Sequence, residues 1–534
     1  MRNRDIERLL NRTGKRIEAI LGSEEYSRID LLSALNVLDW PTVNHDYRRT
    51  GFTLLKGDLK EKKDLKNNVD FFLDAASGTE QQVVKPSIAD IDNNGFMDAV
   101  ILVHKTTFNT FTKMFITETQ KQKFLGVPTK DKTTSRITGF TISGISGDNL
   151  TGGAIYYPPT LADLDGNSKK EIITGVRNGT IYVYELSGST LTQKWKINLE
   201  ERFSSYSGQD EVLFNGGSAV ADIDLDGQQE VILADVGPSV VDGTWNGKVY
   251  VLNGVTGANE TSFNVGNGGT YDAVSVANID EDDNPEIVVP TLYGIKVLDY
   301  NPSTGKLTQR CSNSHGLIEG SAIIYDVDKD TEYELIYVTS SWTCATGKTC
   351  LNRLYVLDAK TCAIELEKTL SQFPRPTPTV ANLDSDTQSE IVVSSVSSVT
   401  TLLGNITAID SVTGNTQWSY NDGGSLHPGF VSPNAADIDN DGNYNIILGE
   451  NAGSTVYILK NDGTEHLQYK VIGFMDNGLA IADLDNDGMA EIAFKRAASP
   501  EIVFVSVSNI NTPPEITKIS NVTAIAGNLI KSSL

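Results

Sequence analysis

Eight short stretches of this 534-residue sequence place Asp or Asn at every second position and close on one more carboxylate or amide. Numbered from the first such residue, positions 1, 3, 5 and 9 are Asp90, Asp92, Asn94 and Asp98, then Asp163, Asp165, Asn167 and Glu171. The third and fourth stretches hold Asp222, Asp224, Asp226 and Glu230, and Asn278, Asp280, Asp282 and Glu286. The fifth and sixth hold Asp326, Asp328, Asp330 and Glu334, and Asn382, Asp384, Asp386 and Glu390. The last two hold Asp437, Asp439, Asp441 and Asn445, and Asp483, Asp485, Asp487 and Glu491. Oxygen donors at alternate residues converge when the backbone curls around an ion, and hard oxygen donors select calcium. Gly at position 6 (Gly95, Gly227, Gly442, Gly488) permits the sharp turn. A helical EF-hand is excluded, because it needs Glu at position 12, where this chain has Leu233 or Phe494. One such stretch reads equally well as a turn rich in Asp, Asn and Gly. Eight with one pattern read as metal loops, so up to about eight calcium ions are expected.

The loops differ in charge. The third, fifth and eighth carry four carboxylates, the fourth and sixth open on Asn278 and Asn382, and the seventh closes on Asn445. Fewer charges predict weaker binding. Together they hold 27 of the 69 acidic residues, and eight divalent ions would move the net charge of −25 to about −9. That acidic balance argues against a nucleic-acid partner, which needs a basic surface. No apolar run is long enough to span a membrane, and MRNRDIERLL at the N-terminus lacks the apolar core of a signal peptide.

Each loop lies inside a longer repeated phrase, such as PTLADLDGNSKKEIITG from Pro159 or SAVADIDLDGQQEVILA from Ser218. First positions of successive loops are 46 to 73 residues apart. A second phrase follows most copies, as in GTIYVYELSGS from Gly179 and GKVYVLNGVTG from Gly247. One repeat thus holds a strand before the loop, one after it, a Tyr-Val-Leu strand and a variable fourth. Four-stranded units at this period suit propeller blades, whereas sandwich domains need about 100 residues each. The predicted fold is all-β: a β-propeller of eight four-stranded blades, with seven as the alternative count and a β-solenoid as the competing architecture. Residues 1–36 carry a helical period (Ile6, Leu9, Leu10, Ile17, Ile20, Leu21) and form a separate N-terminal segment before a 37–510 propeller. The eighth repeat runs into Pro513-Pro514 after three strands. TGFTLL or VDFFLD, within residues 50–76, is expected to supply its outer strand and close the ring.

DIDLDGQQEVIL from Asp222 and DLDNDGMAEIAF from Asp483 resemble the FG-GAP/VCBS repeats of integrin-α-like propellers, over roughly residues 40–510. The resemblance implies a secreted or surface-attached protein rigidified by calcium, acting in adhesion, ligand binding or as a scaffold. Some propellers of this type are polysaccharide lyases. The tail from Asn511 to Leu534 resembles the truncated start of an Ig-like or cadherin-like module, which implies part of a longer surface protein. The partner so implied is a protein or glycan on a propeller face.

Catalytic motifs are missing from the sequence. His45, His104, His315, His427 and His466 are scattered over different repeats, with no HExxH. Gly347-Lys348-Thr349 fails as a phosphate loop because Trp342 stands where its first Gly belongs. The expectation is therefore a non-catalytic extracellular binding module, with a polysaccharide-acting lyase or hydrolase as the alternative. Cys311, Cys344, Cys350 and Cys362 read as a local disulfide cluster if the protein is exported, or as buried thiols otherwise.

Overall fold

The computed structural model describes residues 45–57 except 47, then 66–72, 81–83, 86–94, 97–105, 113–118, 139–141 and, with gaps, 158–506. The helical segment expected over 1–36, the tail from 511, Cys344, Cys350, Gly95, Gly488, Asp485 and Asp487 lie outside these residues.

The third sheet shows the rule. Ala219–Ala221, Glu230–Ala234, Asn246–Asn253 and Asn259–Asn267 pair antiparallel in chain order. The first strand is three small residues, because it stands innermost where strands crowd. The second is buried throughout, since neighbouring sheets cover both its faces. In the second sheet the outermost strand, Thr190–Asn198, reaches solvent and buries little besides Trp195. The described strands form eight such sheets, one for each loop. Innermost strands of successive sheets lie side by side, and Leu479–Ala482 of the eighth lies against Ser87–Ala89 of the first. The sheets therefore close into a ring.

Hydroxyls stitch its centre. Ser87 Oγ donates to Pro159 O at 2.5 Å and Thr160 Oγ1 to Ser218 O at 3.1 Å, each reaching from one sheet to the next. Residues 48–57 then thread the centre past the later sheets. Arg48 O accepts from Ile324 N (3.0 Å), Thr50 O from Val380 N (3.3 Å), Gly51 O from Ala435 N (3.1 Å) and Lys56 O from Ala490 N (2.8 Å). Ile324, Val380 and Ala435 lie on the innermost strands of the fifth to seventh sheets, and Ala490 ends the loop of the eighth. Arg49 is fully buried and donates to Val274 O and Ser218 O, tying in the fourth and third. A buried guanidinium needs this full set of acceptors.

Both strand-like N-terminal segments find partners. Phe52–Lys56, from TGFTLL, pairs parallel with Asn434–Asp437 on the inner edge of the seventh sheet. Lys66–Phe72, overlapping VDFFLD, pairs antiparallel with Glu501–Ser506 and is the outer strand of the eighth. Ring closure follows the expected route. Tyr325, which replaces the Ala found before the other loops, sets its ring edge-on to Phe52 at 5.6 Å.

A latch joins neighbouring sheets at their outer rim. Trp195 donates its indole N–H to Gly254 O at 2.7 Å and covers Gly257 of the next sheet's turn. Trp418 does the same over Gly463. Between the fourth and fifth sheets the latch is covalent, a Cys311–Cys362 disulfide. Cys362 N donates to Asp358 O just as Gly257 N does to Asn253 O and Gly414 N to Asp410 O. Cys362 holds the left-handed φ of 59° that glycine takes in those sister turns.

Candidate metal loops

Each loop links a sheet's first strand to its second. In the second, third, fifth and seventh loops the backbone is left-handed at positions 4 and 6: Gly166 and Ser168 (φ 73° and 72°), Leu225 and Gly227 (62° and 94°), Lys329 and Thr331 (64° and 80°), Asn440 and Gly442 (55° and 92°). This alternation turns positions 1, 3 and 5 to one side. A β-branched Thr331 in that region is strained, and such strain persists where a site imposes it.

Position 9 does two jobs. In all eight loops one of its oxygens accepts the N–H of position 2: Ile91 to Asp98, Leu164 to Glu171, Ile223 to Glu230, Ile279 to Glu286, Val327 to Glu334, Leu383 to Glu390, Ile438 to Asn445 and Leu484 to Glu491, at 2.5 to 3.2 Å. The second strand thereby pins the loop. In the third loop the other oxygen, Glu230 Oε1, has no partner, whereas in the sixth Glu390 Oε1 accepts from Gln417 Nε2. Three carboxylates lie within 4.8 Å of one another in each of five loops: Asp90, Asp92 and Asp98; Asp163, Asp165 and Glu171; Asp222, Asp224 and Asp226; Asp280, Asp282 and Glu286; Asp326, Asp328 and Glu334. Glu171 Oε1, Glu230 Oε1, Asp222 Oδ1, Asp92 Oδ1, Asp326 Oδ1 and Asp439 Oδ1 are buried with no hydrogen-bond partner, Glu171 Oε1 having Lys194 Nζ at 3.6 Å. A buried anionic oxygen without a donor is unfavourable by several kcal/mol on the order of ion burial, so it calls for a cation or a proton.

The donor set fits calcium, being carboxylate and amide oxygen throughout. A bound divalent ion would neutralise the clustered carboxylates and cross-link the loop. The amides behave differently from the expectation. Asn278 and Asn382 donate their side-chain N–H to Asp282 O and Asp386 O, and Asn445 Oδ1 is taken by Ile438 N. Asn167 Nδ2 turns away to Glu185. Asp483 and Glu491 are buried together at the eighth loop.

Burial pushes the closing carboxyls up: Glu171, Glu286 and Glu390 to about 7, Glu230 to about 8 and Glu334 to about 9. These folded values lie above those of an unfolded chain. The protonated loops therefore contribute stability that is complete below about pH 4.5 and lost as pH rises through 7 to 9. In chelator the melting temperature should fall across that window, and saturating calcium should flatten the slope, since it displaces the protons. Calorimetry at several pH values checks this. A chelated protein that gains stability from about pH 5 to 9 would contradict it.

Sequence reading missed the groups that face these loops, from the fourth strand in every case but Lys56. Lys194 reaches Asp165 Oδ2 and Glu185 Oε2, both at 2.8 Å. Burial pushes Asp165 up, but the Lys194 hydrogen bond and charge, together with the Asn167 hydrogen bonds, hold the carboxyl below its ordinary value. Arg310 pairs with Asp280 and with Asp299. Lys56 lies 3.5 Å from Asp437 and His466 3.4 Å from Asp439. The signal was present as the TQKW of 192–195 and the TQRC of 308–311, a polar residue just before the latch residue.

The sequence matches no protein-family model and no curated protein. Solved structures do resemble the fold. A quinohemoprotein alcohol dehydrogenase from Comamonas testosteroni superimposes with a TM-score of 0.59 at 12% identity, over 97% of this chain and 86% of that one. A europium-containing methanol dehydrogenase gives 0.53 at 12%, over 86% and 89%. The Dos1 propeller gives 0.50 at 11%, over 83% and 96%. The architecture is a β-propeller. At such identities the likeness extends to the fold alone. It nevertheless corrects the expectation of a non-enzyme: two of these propellers are dehydrogenases, so the scaffold is one that carries catalysis. The lack of familiar motifs in the sequence is no ground for excluding it. Among the described residues no helix is long and apolar enough to cross a membrane.

Proposed function

We propose that this chain is an extracellular, calcium-binding propeller of the FG-GAP/VCBS type that acts on a polysaccharide. The carrying observation for calcium is the third loop, where Glu230 Oε1 and Asp222 Oδ1 are buried among carboxylates without a partner. The Cys311–Cys362 bond supports an oxidising compartment. The centre of the ring is filled by residues 48–57, so a polymer is received on a face or between blades.

One cleft favours a sugar. It holds about 450 Å³ between the sixth loop and the turn of the seventh sheet, and Trp418, Asp384, Asp462, Asn443, Asn461 and Gln417 line it. A half-buried indole beside carboxylates and amides offers a stacking surface with hydrogen-bonding groups around it. Incubation with a panel of neutral and acidic polysaccharides, read by chain length and new chain ends, tests the proposal. Trp418→Ala, with folding checked by melting because the same indole latches the seventh sheet, should weaken binding about tenfold, the loss of one stacking contact of about 1.4 kcal/mol. Binding without cleavage of any polymer would overturn the enzymatic part.

A further inference from the structure

The fourth strand of seven sheets carries one extra residue at the same rung of the ladder. In the second sheet Val183 pairs with Trp195 and Tyr184 with Gln193, leaving Lys194 over. The same shift leaves over Glu260, Arg310, Glu365, Gln417 and His466 in the third to seventh sheets, and Asn68 in the eighth. A β-bulge unpairs one residue and re-aims it. In the second, fourth and sixth sheets the aim is the metal loop of the same sheet, at positions 3 and 9, and in the seventh His466 meets position 3. Lys194 Nζ stands 2.8 Å from Asp165 Oδ2 and 3.6 Å from Glu171 Oε1. Arg310 meets Asp280 and lies 3.7 Å from Glu286 Oε1. Gln417 Nε2 donates to Asp384 at 3.0 Å and to Glu390 Oε1 at 2.9 Å.

The third sheet puts a carboxylate at this rung. Glu260 accepts from Asn253 Nδ2 at 2.9 Å and is within electrostatic reach of Asp224 and Asp226. Glu230 is fully buried, and its Oε1, the oxygen that Lys194 and Arg310 approach in the sister loops, has no partner. Five carboxylates thus surround a place that a protein cation fills elsewhere. Glu365 stands at the same rung of the fifth sheet, within electrostatic reach of Asp328 and Asp330, in a loop where Asp326 Oδ1 lacks a partner.

We infer that the bulged residue sorts the loops: Lys194 and Arg310 are tethered cations that replace the metal in the second and fourth, while Glu260 and Glu365 are additional calcium ligands in the third and fifth. This deepens the calcium binding proposed above and depends on it. Charge counting along the loop would rank the second and fourth loops with the sixth. The bulge separates them, because an ammonium or guanidinium hydrogen-bonded to one ligand carboxylate and within ion-pair distance of a second repels another cation.

The test uses the full chain, with calcium alone as probe. Bound calcium is measured by elemental analysis after equilibrium dialysis, and melting is followed with and without chelator. Glu260→Lys should remove about one ion per chain and leave the chelated melting temperature equal or higher, since the loop acquires its own cation. Lys194→Glu should add about one ion and lower the melting temperature only in chelator. If Lys194→Glu fails to fold, Glu260→Lys decides alone. Calcium bound by the wild type, but undiminished in Glu260→Lys, overturns the sorting and leaves the calcium proposal standing. A wild type that binds no calcium overturns both.

Discussion

Chelation should lower the melting temperature of this protein by on the order of ten degrees, and millimolar calcium should restore it. Binding only to the folded state adds about 2.7 kcal/mol per site at a hundredfold excess over Kd. Each kcal/mol is worth roughly two degrees in a large domain. The third and fifth loops alone supply two sites, with Glu230, Asp222 and Asp326 each presenting an unpaired buried oxygen. Without the ion, their carboxylates must either protonate or repel one another at close range. Scanning calorimetry in chelator and in calcium measures the difference. Equal melting temperatures would contradict cation binding at the loops.

The second large effect concerns ring closure. Deleting residues 1–80 should turn a folded monomer into aggregate, whereas deleting 1–36 should be tolerated. The longer deletion removes Lys66–Phe72 and bares the whole of Glu501–Ser506 as an unpaired edge. Such an edge is a template for association with another chain. It also strips the carbonyls of Arg48, Thr50, Gly51 and Lys56 from the buried N–H groups of Ile324, Val380, Ala435 and Ala490. Each orphaned buried donor is unfavourable by about 1–3 kcal/mol. Size-exclusion chromatography with light scattering reads the outcome. A monomeric, cooperatively melting chain lacking 1–80 would show that closure does not depend on these residues.

The repeated parts of the molecule were legible in the sequence, and the parts that break the repeat were not. The Asp and Glu spacing located all eight loops because the ligands are local, within nine residues of each other. Position 9 was read as a ligand only. Its bond to the position 2 N–H, as from Glu230 to Ile223, is a backbone relation that residue types do not reveal. Lys194 escaped because its partner Asp165 lies 29 residues away and its aim depends on a register shift. Arg49 escaped for a stronger reason: its acceptors, Ser218 O and Val274 O, are main-chain atoms on other sheets, so no side-chain pattern marks them. TGFTLL and VDFFLD were both legible as strands. Only the folded ring distinguishes the inner edge of the seventh sheet from the outer edge of the eighth.

The threading of residues 48–57 through the centre imposes an order on synthesis. These residues, and Lys66–Phe72 after them, leave the ribosome early. Their partners Ala435, Ala490 and Glu501–Ser506 leave it much later, more than 380 residues on in the case of Gly51 and Ala435. Pairings of such sequence separation form slowly, because the intervening chain must first be organised. At about 5–20 residues per second, the nascent chain carries two unpaired strands for roughly twenty seconds or more. Sheets two to six can assemble during that interval, since each draws its four strands from consecutive sequence. The seventh and eighth cannot be completed without segments made before any of them. The propeller's first-made strands are thus the ones that wait for its last-made sheets.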